Sequence, residues 1–271
     1  MMSTDTQQQK QYKILLIGDS CIDEYHYGTC SRLNPEAPTP LLKIKKSETL
    51  PGMSANVREN LEGLGIEVTH ITNNEIIKKI RFINTDYNVQ LLRVDKEDKI
   101  KRINMESIKA LDLNEYDGVV ISDYDKGFLK VEDIAQINKI IESNSHLKVF
   151  VDTKKRDVSC FKKCFIKVNE HEYDLWYSRP QDLEIIVTCG VKGAIYKKDL
   201  FPACDININN VTRLGDRCGA GDTFLAGFVY KIVSGETIPK SIRFANYCAG
   251  LSVKKIGTYQ LEKNDIKNFH I

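Results

Sequence analysis

Short apolar runs that each stop on a polar or glycine turn restrict this chain more than any other feature. They are Tyr12-Lys13-Ile14-Leu15-Leu16-Ile17-Gly18-Asp19, Gly118-Val119-Val120-Ile121-Ser122-Asp123, Lys148-Val149-Phe150-Val151-Asp152, Phe165-Ile166-Lys167-Val168-Asn169 and Glu184-Ile185-Ile186-Val187-Thr188. Runs of this length without alternation read as strands buried on both faces, which is how parallel sheets are built. Helical patterns lie among and after them, over residues 54–65, 131–142, 220–233 and 238–254. Strands alternating with helices predict an α/β fold with a mostly parallel sheet flanked by helices. In such sheets ligands gather where strands end, and the first run delivers Asp19 to that edge.

Two stretches break the pattern. Residues 25–50 are rich in Tyr, Thr and Pro with partial alternation, and a second extended block over 80–94 carries Arg81 and Arg93 near its ends. Both read as half-exposed strands, suited to a small β lid beside the main sheet.

With 271 residues, one large domain is the expectation. Lys and Arg number 39 against 37 Asp and Glu, a formal charge of +2, so no global field favours nucleic acid or an anionic membrane and any anion site is local. The eight cysteines contain no CxxC pair and read as reduced thiols. Cys160 and Cys164 lack the further ligands a zinc ion needs. The polar start, with no apolar segment of membrane-spanning length, predicts a cytoplasmic protein with a disordered tail over residues 1–11.

Cys218-Gly219-Ala220-Gly221-Asp222-Thr223 opens a predicted helix, where free N–H groups and the dipole favour an anion. A carboxylate at Asp222 can accept a proton from an attacking hydroxyl while those N–H groups stabilise charge on a transferred phosphoryl group. An ordinary glycine turn capped by Asp222 fits the same residues, and the motif alone does not separate the two. Asn169 and Glu172 add oxygen donors suited to a hydrated Mg²⁺. The turn Thr188–Gly193 can admit a nucleotide or simply close a hairpin. Asp19, Asp23 and Asn56 supply the donors and acceptors that hydroxyl recognition requires, and Lys79, Arg81, Arg93, Lys126 and Lys154 supply positive charge.

Taken in order, strand-Gly18-Asp19, Pro51-Gly52 with Asn56, Asn169 to Glu172, Thr188 to Gly193, Gly219 to Asp222 and Phe244 to Gly250 resemble the ribokinase-type (PfkB) carbohydrate kinases along the whole chain. Ser31-Arg32-Leu33-Asn34-Pro35-Glu36-Ala37-Pro38, Gln90-Leu91-Leu92-Arg93-Val94-Asp95, Ser122-Asp123-Tyr124-Asp125-Lys126-Gly127 and Val151-Asp152-Thr153-Lys154 are similar to segments of the heptose-7-phosphate 1-kinases within that family. The resemblance implies a ribokinase-like domain over residues 12–271, with lid strands within about 25–50 and 80–95. It implies transfer of the γ-phosphate of ATP, with Mg²⁺, to O1 of D-glycero-D-manno-heptose 7-phosphate. Asp222 would be the base, with Gly219, Ala220 and Gly221 forming the anion hole. Asp23, Gly52, Met53, Asn56, Arg81, Arg93 and Lys126 would hold the sugar phosphate. Lys154, Asn169, Glu172, Thr188, Gly190, Gly193 and Asn246 would bind ATP, Asn169 and Glu172 reaching the metal through water. A homodimer through the lid strands is the expected assembly.

The chain departs from the family pattern at several points. Met53 stands where the family has a second glycine, and Cys218 replaces a frequent threonine. The segments 72–80 and 172–185 are short, and the expectation is a stand-alone kinase without a nucleotidyltransferase companion. A kinase for another sugar or nucleoside, and a sugar-binding relative without turnover, are the alternatives. A hydrolase built on Gly18-Asp19-Ser20 would need a late Asp-x-x-His pair, whereas Asp265 and His270 are five apart.

Overall fold

The computed structural model describes residues 10–204, 218–254 and 259–269. The chain opens with β1 (Lys13–Gly18), β2 (Ser20–Thr29), β3 (Lys43–Met53), α1 (Ser54–Gly63), β4 (Glu67–Ile71), β5 (Ile77–Asn84) and β6 (Val89–Glu97). It continues through α2 (Glu106–Lys109), β7 (Gly118–Asp123), α3 (Val131–Glu142), β8 (Lys148–Thr153), β9 (Phe165–Asn169), α4 (Glu170–Asp174) and β10 (Glu184–Thr188). The last elements are β11 (Ala194–Tyr196), β12 (Asp199–Phe201), α5 (Ala220–Val233), α6 (Ile238–Ser252) and α7 (Lys263–Lys267).

Eight strands form the main sheet in the order β12-β11-β10-β9-β8-β7-β1-β4. Pairing is parallel from β4 to β10, and the β11–β12 hairpin closes the far edge antiparallel. The apolar runs bury both faces because successive side chains alternate. Ile14, Leu16, Val120 and Phe150 join the core with α1, α5 and α6, while Leu15, Ile17, Val119, Ile121 and Val151 join the one with α3. The same alternation decides two polar positions. Lys167 lies between Ile166 and Val168, and Asp152 follows Val151, so both turn to the α5 face.

A second sheet of four strands, β3-β2-β5-β6, carries the expected extended segments. The block expected over 80–94 is a hairpin of two strands, and the first lid strand begins at Ser20 rather than near 25. Only Asp19 separates β1 in the main sheet from β2 in the small one. On the return, β4 leads to β5 through residues 72–76 alone, where the sequence lacks a helical segment. The last described segment runs from α1, where Leu261 N–H donates to Asn60 Oδ1 at 3.0 Å, to α6, where the Phe269 ring meets Phe244.

Of the expected tail, residues 1–9 lie outside the described residues, and Lys10 is not loose, since its Nζ pairs with Asp117 Oδ1 at 2.7 Å. Among the described residues, no helix is long and apolar enough to cross a membrane.

Candidate active site

Gly219 sits at φ 80°, a left-handed geometry that glycine adopts without penalty, and α5 begins at the next residue. Among the described residues, Thr223 is the first N–H of α5 to bond back, to Gly219 O at 2.9 Å, and the N–H groups ahead of it lie at the positive end of the helix. Asp222 lies in this turn and is 5% exposed. Its Oδ2 accepts from Asn56 Nδ2 at 2.9 Å and its Oδ1 from the Tyr124 hydroxyl at 2.6 Å. Burial raises the Asp222 pKa, the Asn56 and Tyr124 hydrogen bonds pull it down, and Asp152 and Lys167 act in opposite senses from further off. Asn56 is held by Asn60, whose Nδ2 donates to Asn56 O at 2.8 Å and lies 3.1 Å from Asn56 Oδ1.

Beside Asp222, the small sheet contributes a buried ion pair. Arg81 Nη1 meets Asp23 Oδ1 at 2.5 Å, its Nη2 donates to Cys218 Sγ at 3.2 Å, and its guanidinium lies 5.1 Å from the Tyr25 ring centroid. Burial opposes the Arg81 charge, but Cys218 and Asp23 outweigh it and raise the pKa. Gly52 is required where it stands, since a Cβ there would fall 2.2 Å from Asp23 Oδ2. Asp23 is therefore bound to Arg81 as well as placed for hydroxyl recognition. Met53 takes φ 59° and its side chain packs with Cys21 and Ile77, against Ile100 and Tyr124. The sequence placed that side chain against the sugar, whereas it is buried at the base of the small sheet.

Arg93 and Lys126 are not drawn into this cluster. Arg93 lies opposite Arg81 on outer strand β6, 49% exposed, with Nε 2.9 Å from Asp95 Oδ1. Lys126 Nζ is paired with Glu97 Oε1 at 2.5 Å.

Asn169 and Glu172 form a reciprocal cap at the start of α4. Asn169 Oδ1 accepts from Glu172 N–H at 2.8 Å, and Glu172 Oε2 accepts from Asn169 N–H at 3.3 Å. Glu172 Oε1 holds Lys154, whose ammonium lies 5.2 Å from the Tyr124 ring centroid. Burial lowers the Lys154 pKa, but Asp152 and Glu172 raise it by more. Thr188 Oγ1 donates to Val168 O at 3.3 Å, and Gly190 and Gly193 shape the turn that closes the β10–β11 hairpin. Asn246 donates to Phe201 O at 2.9 Å and Pro202 O at 3.1 Å, which commits its amide to fastening β12 onto α6.

Among the described residues, no three His, Cys, Asp or Glu side chains are grouped so as to hold a metal ion by themselves. The oxygen donors nonetheless fit a hydrated Mg²⁺ that takes its remaining ligands from water and phosphate. Glu172 supplies a carboxylate, and Asp152 Oδ1 is buried with no hydrogen-bond partner among the described residues.

Sequence reasoning passed over Tyr124, Asp152 and Lys167 as members of this cluster. Lys167 Nζ meets Asp152 Oδ2 at 2.5 Å and lies 2.8 Å from where a Cβ on Gly221 would stand. A charged residue inside the apolar run of β9 was the available signal. Asp19 was read as a hydroxyl ligand. Instead it is fully buried, and its Oδ2 accepts from the Tyr124 N–H at 2.7 Å. Burial and Asp123 raise its pKa to about 6 against the pull of backbone N–H groups.

Comparison with known proteins places this geometry. The family model for "pfkB family carbohydrate kinase" matches residues 53–264. The bifunctional protein HldE of Sulfurimonas denitrificans is 31% identical over 312 aligned positions, covering 95% of this chain and 64% of that protein. The HldE of Campylobacter jejuni subsp. doylei is 28% identical, covering 97% and 65%. The chain thus spans a little under two thirds of the relatives it matches. Among solved structures, phosphofructokinase-2 from Escherichia coli, in complex with substrates and products, superposes with TM-score 0.69 at 13% identity, covering 95% of this chain and 97% of that one. Arabidopsis thaliana ribokinase, complexed with ribose and ATP, gives 0.67 at 13%, covering 96% and 100%. The shared fold is the ribokinase-like one, and with the family model spanning most of its length the chain belongs to the pfkB family of carbohydrate kinases.

Proposed function

We propose that the protein transfers the γ-phosphate of ATP to a sugar hydroxyl, O1 of D-glycero-D-manno-heptose 7-phosphate, with Asp222 as general base. The observation that carries this reading is a buried carboxylate, anchored on both oxygens, in the first turn of a helix whose leading N–H groups have no backbone acceptor among the described residues. Asp222 takes the proton as the acceptor O–H bond breaks, and the oxygen bonds to the γ-phosphorus. The bond from that phosphorus to the bridging oxygen breaks, ADP departs, and Asp222 returns its proton to solvent. The open N–H groups of α5 stabilise charge on the moving phosphoryl group. Asn169 and Glu172 would hold a hydrated Mg²⁺, which neutralises phosphate charge when bound. The heptose acceptor is supported by the HldE relatives and by the segments Ser31–Pro38, Gln90–Asp95 and Ser122–Gly127.

A second reading keeps the chemistry and changes the acceptor. Met53 favours it, because a methionine at φ 59° reshapes the turn beside Gly52 and Asn56. An ADP-release screen over heptose 7-phosphate, fructose phosphates, ribose and adenosine distinguishes the two. Heptose 7-phosphate is expected to be the best acceptor, with Asp222→Asn lowering kcat by about 10²–10⁴-fold. Release with no acceptor in the panel would sink both readings.

A further inference from the structure

Resting on the kinase reading, we propose that Tyr124 is a positioning residue that fixes the Asp222 carboxylate for proton abstraction and ties it to the small sheet and to the Glu172–Lys154 pair. The hydroxyl lies 2.6 Å from Asp222 Oδ1, while Asn56 occupies the other oxygen. Two donors on different oxygens fix the carboxylate plane and leave lone pairs for an acceptor hydroxyl. Tyr124 can serve only as the donor here, since burial and the neighbouring Asp222 hold its phenol protonated.

The ring is shared by several parts of the molecule. Lys79 of β5 and Lys154 after β8 each place an ammonium 5.2 Å from its centroid, and it packs against the cluster of Cys21, Met53 and Ile77. Its own backbone is gripped by Asp19, the residue between the two sheets. A shift of β5, or of Lys154 toward an incoming phosphate, therefore reaches the base through one flat side chain with few torsions. The titratable groups facing the Asp222–Tyr124 pair are Cys21 from β2, Lys79, Asp152 from β8, Lys154, Lys167 from β9 and Cys218 before α5. Among the described residues, Tyr124 is the titratable group hydrogen-bonded to the carboxylate.

Tyr124→Phe keeps the ring and removes the hydroxyl. The expected result is a kcat reduced roughly 10- to 100-fold, with the sugar KM changed by less than about threefold. Losing a donor raises the Asp222 pKa, so the base protonates sooner on acidification and the acid limb of kcat moves up by about one pH unit. A ¹³C titration of the Asp222 carboxyl, assigned with Asp222→Asn, should show the same shift without turnover. An unchanged acid limb and carboxyl titration overturn the proposal. If wild-type protein phosphorylates nothing in the panel, the kinase reading fails, and the carboxyl titration still decides whether Tyr124 governs Asp222. Should Tyr124→Phe not fold, 3-fluorotyrosine placed at position 124 supplies a stronger donor. It should move the limb and titration to lower pH, and no movement counts against the assignment.

Discussion

Asp222 was legible as a candidate base because its glycine turn and helix start are contiguous in sequence. Tyr124 was not, because nothing in its neighbours' polarity tells that its hydroxyl crosses to a residue 98 positions away. Met53 was visible as an irregularity, but the reason it is tolerated lies in the fold. It takes a backbone conformation that favours glycine, and its side chain is buried with Cys21, Ile77 and Tyr124. Packing offsets strain of roughly 1–3 kcal/mol. Met53→Ala keeps the strained φ and loses the packing, for an expected cost of about 2–5 kcal/mol. Met53→Gly loses the same packing but relieves the strain, so it should be the more stable variant by roughly 1 kcal/mol. Urea unfolding of both checks the order, and a glycine variant no better than the alanine one would mean that position 53 is unstrained.

Elements built from uniform apolar runs were readable to within a residue or two, as β7, β9 and β10 illustrate. The ones missed lacked such a run. In β4, Glu67-Val68-Thr69-His70-Ile71 mixes polar and apolar residues because the strand pairs only with β1 at the sheet edge. The hairpin strands β11 and β12 have three residues each, too few to carry a period. Partial alternation in the small sheet was legible and marks one covered face. Its outer strands expose Ile44 on β3 and Leu92 on β6, at 49% and 56%. Unpaired outer strands with exposed apolar groups are sticky unless covered, and a second copy is the natural cover for two such strands. The chain is expected to sediment as a dimer at micromolar concentration, and Leu92→Asp should shift it toward monomer. A monomeric wild-type mass would remove the small sheet from the assembly.

Across the whole molecule, strand order was the part sequence could not supply, because periodicity records burial and not neighbours. That order buries two titratable groups whose effects on stability oppose each other. His70 on β4 sits against Ser54 Oγ at 2.9 Å, and burial, with Arg58 adding to it, lowers its pKa from 6.5 to about 4. The fold favours its neutral form, so its contribution is full above pH 6.5 and lost as pH falls toward 4. Asp19, raised from 3.8 to about 6, favours its protonated form in the fold, and its contribution is full below 3.8 and lost as pH rises through 6. Each is worth on the order of 3 kcal/mol. Denaturant unfolding at pH 4.5 and 7 should show Asp19→Asn losing stability on acidification, where His70→Gln gains it, relative to a flatter wild type. Two variants that both track the wild type would show that neither group is perturbed.

The hydrogen bond from Leu261 to Asn60 spans 201 positions, and Asp222 reaches back 166 positions to Asn56. During synthesis, α1 therefore leaves the ribosome long before the residues that hold it and the carboxylate it positions. The Asp222 cluster can close only after α5 has been made, and until then all eight strands of the main sheet wait with the face that α5 and α6 cover left open.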